Sequence, residues 1–143
     1  MKHVFLDTNI LLDYAFKDRI YHEYALLIFR TAQSGKLATY TSTQSLLDFV
    51  YIYTKGNKLR VKEVGAFIQN LCNSLTVCDT LKHHLIMAAS HYDDDFEDAV
   101  QTSIAIDHYC EVIISVDNHF DGSFGPPVVS PDEFCREFFE EYD

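Results

Sequence analysis

The sequence predicts an α/β fold: a mostly parallel central sheet of roughly four to five strands, with helices on both faces in three α/β/α layers. Three observations carry this. Short continuous apolar runs, such as Val4-Phe5-Leu6 and Val112 to Val116, read as strands buried on both faces. Segments of helical period alternate with them. Turn or cap residues punctuate the joins, as at Asp7-Thr8-Asn9, Thr41-Ser42-Thr43, Asp95 and Ser130-Pro131.

In order along the chain, Val4 to Leu6 is a strand and Asp7-Thr8-Asn9 a turn. Ile10 to Phe16 and Tyr21 to Ala32 are helical, the second carrying Tyr24, Leu27, Ile28 and Thr31 on one face, and Gly35 ends it. Leu37 to Tyr40 is the second strand. Thr41-Ser42-Thr43 caps a helix bearing Leu46, Leu47, Val50 and Tyr51, and Gly56-Asn57 is a turn. Val61 to Leu71 is a helix, Leu75 to Cys78 a third strand, and Asp79 the cap of a helix through Met87. Asp95 caps a helix from Phe96 to Tyr109. Val112 to Val116 is a strand ending at Asp117, and Val128-Val129 a short edge strand. Ser130-Pro131-Asp132-Glu133 has the cap, proline and glutamate of a helix start, and Phe134, Phe138 and Tyr142 share a face of the last helix.

The 143 residues suit one domain, spanning 1–143, with 48% hydrophobic and 23% charged residues as in ordinary globular chains. No apolar run approaches the ~18 residues of a membrane span, and the N-terminal apolar stretch is too short for a signal peptide, so a cytoplasmic protein is expected. The four cysteines, Cys72, Cys78, Cys110 and Cys135, form no CxxC pair and read as small buried hydrophobes. The net charge of −11 lacks the basic footprint of a general nucleic-acid binder. The one basic concentration, Lys55, Lys58, Arg60 and Lys62, is either a solvated helix start or a strip that tracks phosphates.

Parallel sheets place their sites beyond the carboxyl ends of their strands. Asp7 follows the first strand and Asp117 the late one; Asp98 lies in the first turn of one helix, Asp48 in the second turn of another. Four distant segments therefore bring carboxylates towards one sheet edge. Such a group suits Mg²⁺ or Mn²⁺, hard ions that prefer oxygen ligands and relieve carboxylate repulsion. Thr8, Asn9 and Ser115 stand beside these acids as groups that orient waters or carboxylates. Each acid alone has a plainer reading. Asp98 occupies the third helical position after its cap, Asp95 is a cap, Asp48 and Asp13 are helix-surface acids, and Asp121 is a turn residue. Asp107 falls at the opposite sheet end. His83 and His84 are adjacent and are not expected to face one site, and His119 stands near Asp117. No zinc-protease, serine-hydrolase, Walker or dinucleotide motif is present.

The run Val4-Phe5-Leu6-Asp7-Thr8-Asn9-Ile10-Leu11-Leu12-Asp13 resembles the opening of PIN-domain proteins. Asp95-Phe96-Glu97-Asp98-Ala99-Val100-Gln101 resembles their central acidic motif, and Ile113-Ile114-Ser115-Val116-Asp117 with Phe120 their last strand and acid. Ser130-Pro131-Asp132-Glu133-Phe134 is similar to the family's ending. The resemblance implies a metal-dependent endoribonuclease of the VapC toxin type, a Mg/Mn-dependent phosphodiesterase cutting single-stranded RNA. It also implies a homodimer and an antitoxin protein as partner. It carries Asp7, Asp98 and Asp117 over as metal-binding acids. Asp48 stands where the family usually has glutamate, and Val116 where a basic residue is frequent. Where that basic concentration does track phosphates, Lys55, Lys58 and Arg60 are the candidate contacts. The competing reading is a PIN-like module that binds RNA or protein without cutting. A haloacid-dehalogenase-type phosphatase is disfavoured because Asn9 replaces its second aspartate, and a response-regulator receiver because its paired acids and late lysine are absent.

Overall fold

The computed structural model describes residues 1–117 and 124–142, residues 141 and 142 by their backbone alone. The sequence readings of His119, Phe120, Asp121 and the Tyr142 side chain lie outside the described residues.

The elements are β1 (Lys2–Leu6), α1 (Thr8–Ala15), α2 (His22–Gln33), β2 (Leu37–Ser42), α3 (Thr43–Thr54), α4 (Lys58–Ser74), β3 (Thr76–Cys78), α5 (Lys82–His91), α6 (Phe96–Asp107), β4 (Val112–Ile114), β5 (Val128–Val129) and α7 (Pro131–Tyr142). The five strands are all parallel, in the order β3-β2-β1-β4-β5. β1 is central because its apolar run can be buried on both faces. Val4 pairs with Thr39 on one side and with Val112 on the other. The chain leaves β1 towards β2 and later returns on its other side as β4. The order therefore reverses at β1, and the crevice opens beyond the carboxyl ends of β1 and β4.

Alternation along the strands splits the core in two. Val4, Leu6, Val112 and Ile114 face a large cluster built with Ile10, Leu11, Ile28, Phe29, Phe49, Leu71, Phe134 and Phe138 from α1, α2, α3, α4 and α7. Phe5 and Ile113 face a smaller cluster with Ala88 from α5 and Ala99, Val100, Ile104 and Ala105 from α6.

Helix starts follow local chemistry. Ser42 accepts from the Ser45 amide, Asn57 from Arg60 and Asp95 from Asp98, satisfying donors that a helix start leaves open. Asp79 does not cap α5, which begins at Lys82 with Leu81 in the cap position. Leucine has no acceptor to offer, and the His84 ring reaches back instead, taking the Leu81 amide at 2.9 Å.

Three other expectations shift. β4 stops at Ile114; Ser115 sends its hydroxyl to Asp7, while its amide still donates to Val129 of β5 at 2.9 Å. The buried stripe of α3 is Ser45, Leu46 and Phe49, while Leu47 and Tyr51 are 65% and 66% exposed. On α2 the inward residues include Ala25, Ile28 and Phe29, with Tyr24 and Leu27 facing out. Cys72 is also exposed, unlike the other three cysteines. Among the described residues no helix is long and apolar enough to cross a membrane.

Candidate metal centre in an acidic cleft

Beyond the ends of β1 and β4 lies a cleft of about 360 Å³. Six carboxylates line it: Asp7, Asp48, Asp95, Glu97, Asp98 and Asp117. The four acids expected from the sequence thus meet in one place. Thr8 and Asn9 line the same cleft, and Tyr51 and Ile52 form part of its wall.

Each acid is positioned by the element that carries it. Asp7 ends β1 and caps α1, its Oδ1 accepting the Thr8 amide at 2.8 Å. Its Oδ2 accepts from the Ser115 hydroxyl at 2.9 Å, and Ser115 Oγ in turn accepts the Asp117 amide at 3.0 Å. Ser115 therefore links the acid after β1 to the backbone of the acid after β4, an orienting role. Asp48, on the second turn of α3, accepts from Gln44 at 2.9 Å. Asn9 Oδ1 faces Arg19 Nη2 at 3.5 Å, and Arg19 pairs with Asp13 at 2.6 Å. Asp13 is not a surface acid. It is buried because α1 packs against both α2 and α3, and the Arg19 guanidinium meets it there.

Asp95, Asp98 and Asp117 bring ligand oxygens within 4.8 Å of one another. Asp95 is both the cap of α6 and a member of this trio. The sequence motif separated those roles, but a carboxylate has a second oxygen after one has accepted the Asp98 amide. Glu97 also escaped the sequence reading. It follows Asp95 by two residues, and the first turn of a helix gathers acids at its positive end.

Crowding is visible in the proton affinities. Asp98 is pushed up to about 8, chiefly by burial, then by hydrogen bonding to and repulsion from Asp117, with Asp95 and Asp7 adding to it. Glu97 is pushed up to about 7, first by its hydrogen bond with Asp48, then by burial and repulsion from Asp48, Asp95 and Asp7. Burial raises Asp7 as well, partly opposed by its bonds from Ser115 and Thr8. One buried oxygen, Asp98 Oδ2, has no hydrogen-bond partner. An orphaned acceptor beside repelling carboxylates is what a hard cation with oxygen ligands would satisfy, so the residues present fit Mg²⁺ or Mn²⁺.

The expected basic strip disperses. The Arg60 guanidinium lies over Phe16 and Tyr53, at 4.7 and 5.3 Å from the ring centroids. Lys55 Nζ sits 5.9 Å from the ring centre of Tyr51 and is not among the residues that line the acidic cleft. Lys58 is exposed at the start of α4.

A second polar group joins α5 to α6 away from the cleft. Contrary to expectation, His83 and His84 converge, both directing Nε2 to Asp107 Oδ2, His84 at 2.6 Å. Adjacent helical residues diverge by ~100°, yet the long imidazole arms still meet the acid between them. Because His84 Nδ1 accepts the Leu81 amide, its Nε2 carries the proton donated to Asp107. A metal would need that lone pair, so this group reads as a pin between helices.

A sequence profile of the PIN domain matches residues 3–119. The chain is 26% identical over 140 residues to "Ribonuclease VapC1" of Aquifex aeolicus (strain VF5), covering 93% of each chain. Among solved structures, FitAcB from Neisseria gonorrhoeae superposes with a TM-score of 0.69 at 12% identity, covering 90% of this chain and 97% of that one. A toxin-antitoxin complex from Klebsiella pneumoniae gives 0.64 at 18% identity, covering 90% and 97%. The Mycobacterium tuberculosis VapC20, a Sarcin-Ricin loop cleaving toxin, gives 0.64 at 15%, covering 85% and 95%. Identities this low speak for the fold, and the profile speaks for the family. With a five-stranded parallel sheet and acids gathered at its point of reversal, the chain belongs to the PIN-domain family.

Proposed function

We propose that the protein is a metal-dependent endoribonuclease that cleaves single-stranded RNA, the toxin of a toxin-antitoxin pair. The observation that carries the reading is the six-carboxylate cleft with its orphaned Asp98 oxygen. Asp7, Asp98 and Asp117, with Asp95 beside them, are the residues that would hold Mg²⁺ or Mn²⁺. Such an ion supplies charge neutralisation for the acids and Lewis acidity towards a phosphodiester and its attacking water. The side chains do the rest. Ser115 and the Thr8 amide fix Asp7, and Ser115 fixes the start of the Asp117 turn. Glu97 and Asp48 share a hydrogen bond across the cleft, which with burial and repulsion raises the Glu97 carboxyl to about 7 in the metal-free chain. Asp48 is shorter than the glutamate usual in the family, and Glu97 reaches it from the facing helix.

A cleft this acidic repels RNA until cations fill it, which makes metal dependence part of binding as well as chemistry. The likeness to VapC ribonuclease and to toxin-antitoxin complexes supports an antitoxin partner and, through the family, a homodimer. Leu47, Tyr51, Leu59 and Val61 leave large apolar side chains exposed on α3 and α4, a surface suited to a protein partner. The non-cutting alternative has less support, because every expected acid lines the cleft.

The test is cleavage of unstructured RNA by the purified protein in Mn²⁺ or Mg²⁺ against EDTA. Metal-dependent cleavage should fall by more than about a hundredfold in Asp98→Asn, beyond what loss of a residue one step from a metal costs. Equal cleavage by wild type and variant would overturn the assignment.

A further inference from the structure

Beside the acidic cleft, between α3, α5 and α6, lies a cavity of about 380 Å³ whose lining includes Gln44, Leu85, Phe96, Glu97, Val100 and Gln101. Glu97 belongs to both clefts, and Gln44 donates to Asp48, so the two are continuous at that edge. Gln101 is 2% exposed, and neither its amide nitrogen nor its amide oxygen has a hydrogen-bond partner. A buried amide left unpaired is costly, and an apolar side chain of the same shape would avoid that cost.

We propose that this cavity takes a nucleobase of the RNA, adenine, next to the cleaved phosphate, and that Gln101 reads it. The inference rests on the ribonuclease reading of the adjoining cleft. Leu85, Phe96 and Val100 give the lining apolar surface, and its polar groups are Glu97, the Thr80 hydroxyl and two amides, with no cation, so it rejects a phosphate and accepts a neutral flat ring. Phe96 is 40% exposed and offers a face for stacking, the common way of holding an unpaired RNA base. A glutamine amide carries a donor and an acceptor side by side; both atoms are sealed in the cavity wall of the free chain, and rotation of the side chain to another staggered well brings them to the base. Adenine matches that pair on either exposed edge, through N6 with N7 or with N1, and has the larger ring to stack. The pyrimidines match on one edge only and stack less.

The experiment is fluorescence anisotropy in Mg²⁺, which fills the acidic cleft, with two labelled uridine-run oligonucleotides whose bridging 3′ oxygens are replaced by methylene groups so that they cannot be cut. One carries a single adenosine, the other purine riboside, which lacks the 6-amino group. Wild type should bind the adenosine oligonucleotide roughly tenfold more tightly. Gln101→Leu should bring the ratio to about one with no fall in Tm, since it removes an unpaired amide at nearly constant volume. Phe96→Ala should weaken both complexes. A ratio of one in wild type, or an undiminished ratio in Gln101→Leu, overturns the inference whether or not RNA is cut. Discrimination lost in Gln101→Leu upholds base reading even if no RNA is cleaved in Mn²⁺, in which case only the nuclease reading falls. A change of solution mass in Gln101→Leu with discrimination intact would assign the cavity to a contact between copies, and the inference would fall.

Discussion

The two faces of the sheet are built differently. One is covered by α1, α2, α3, α4 and α7, and its core holds stacked aromatics: Tyr14 on Phe29 at 4.0 Å, Phe49 on Phe67 at 5.4 Å, Phe134 on Phe138 at 5.4 Å. The other is covered by α5 and α6, and the helical residues of its core are aliphatic, with alanine at three of five: Ala88, Ala99, Val100, Ile104 and Ala105. The thick face buries large apolar area and so contributes most of the hydrophobic stabilisation. From the other, thin face α6 sets the acids of its first turn, Glu97 and Asp98, against those that follow β1 and β4. Gly125 lets the segment before β5 approach α6: a Cβ there would fall 2.3 Å from Thr102 Cγ2, one turn beyond Asp98. Three of the six cleft acids, Asp95, Glu97 and Asp98, come with α6 from the thin face, and Asp48 comes with α3 from the thick one.

This division can be broken from either side. Phe29→Ala on the thick face should cost about 3–5 kcal/mol in urea unfolding, while residual folded protein keeps its metal-dependent cleavage. A loss of cleavage at full folding would mean that the faces are not separable. Ser115→Ala frees Asp7 and the Asp117 turn from each other. It should reduce metal affinity or cleavage by about 10–100-fold, with a fall in Tm of a few degrees because Asp7 Oδ2 and the Asp117 amide lose their buried partner. An unchanged metal titration would remove Ser115 from the site.

The smallest effect has the opposite sign. Asp98 in the folded chain holds its proton up to about 8, against an ordinary carboxyl value of 3.8 when unfolded. The native state then binds more protons than the unfolded state across that window. Metal-free stability should therefore fall as pH rises from about 4 towards 8. Asp98→Asn should raise metal-free Tm at the upper end of that range by a few degrees, on the order of 5 °C, and flatten the pH dependence. Mg²⁺ should stabilise wild type more than the variant. A variant that melts lower than wild type at that pH would show that repulsion is not the dominant cost there.

Much of the site was legible because it depends on local rules. Apolar runs that end in aspartate mark buried strands and their exits, and the alternation of strand and helix places those exits on one edge. That was enough to bring Asp7, Asp48, Asp98 and Asp117 to one place and to give Ser115 its orienting role. Motif reading stopped where one residue serves two purposes. Asp95 has the spacing of a cap and is one, so nothing local announces its second oxygen. Glu97 reads as an ordinary first-turn acid until α3 is laid beside α6 and Asp48 meets it.

By itself the sequence determined the parallel α/β class, nearly every element, and the family, because these follow from periodicity, caps and short motifs along the chain. Only the tertiary structure decided which faces of α2 and α3 turn inward, that Asp13 is buried against Arg19, that Arg60 is held over Phe16 and Tyr53, and that His83 and His84 converge on Asp107. It also decided that Gln101 lies unpaired in the wall of a cavity. Each of these depends on what a second, distant segment places opposite a side chain. Burial and hydrogen-bond partners are properties of such pairs of segments, and periodicity within one segment does not contain them.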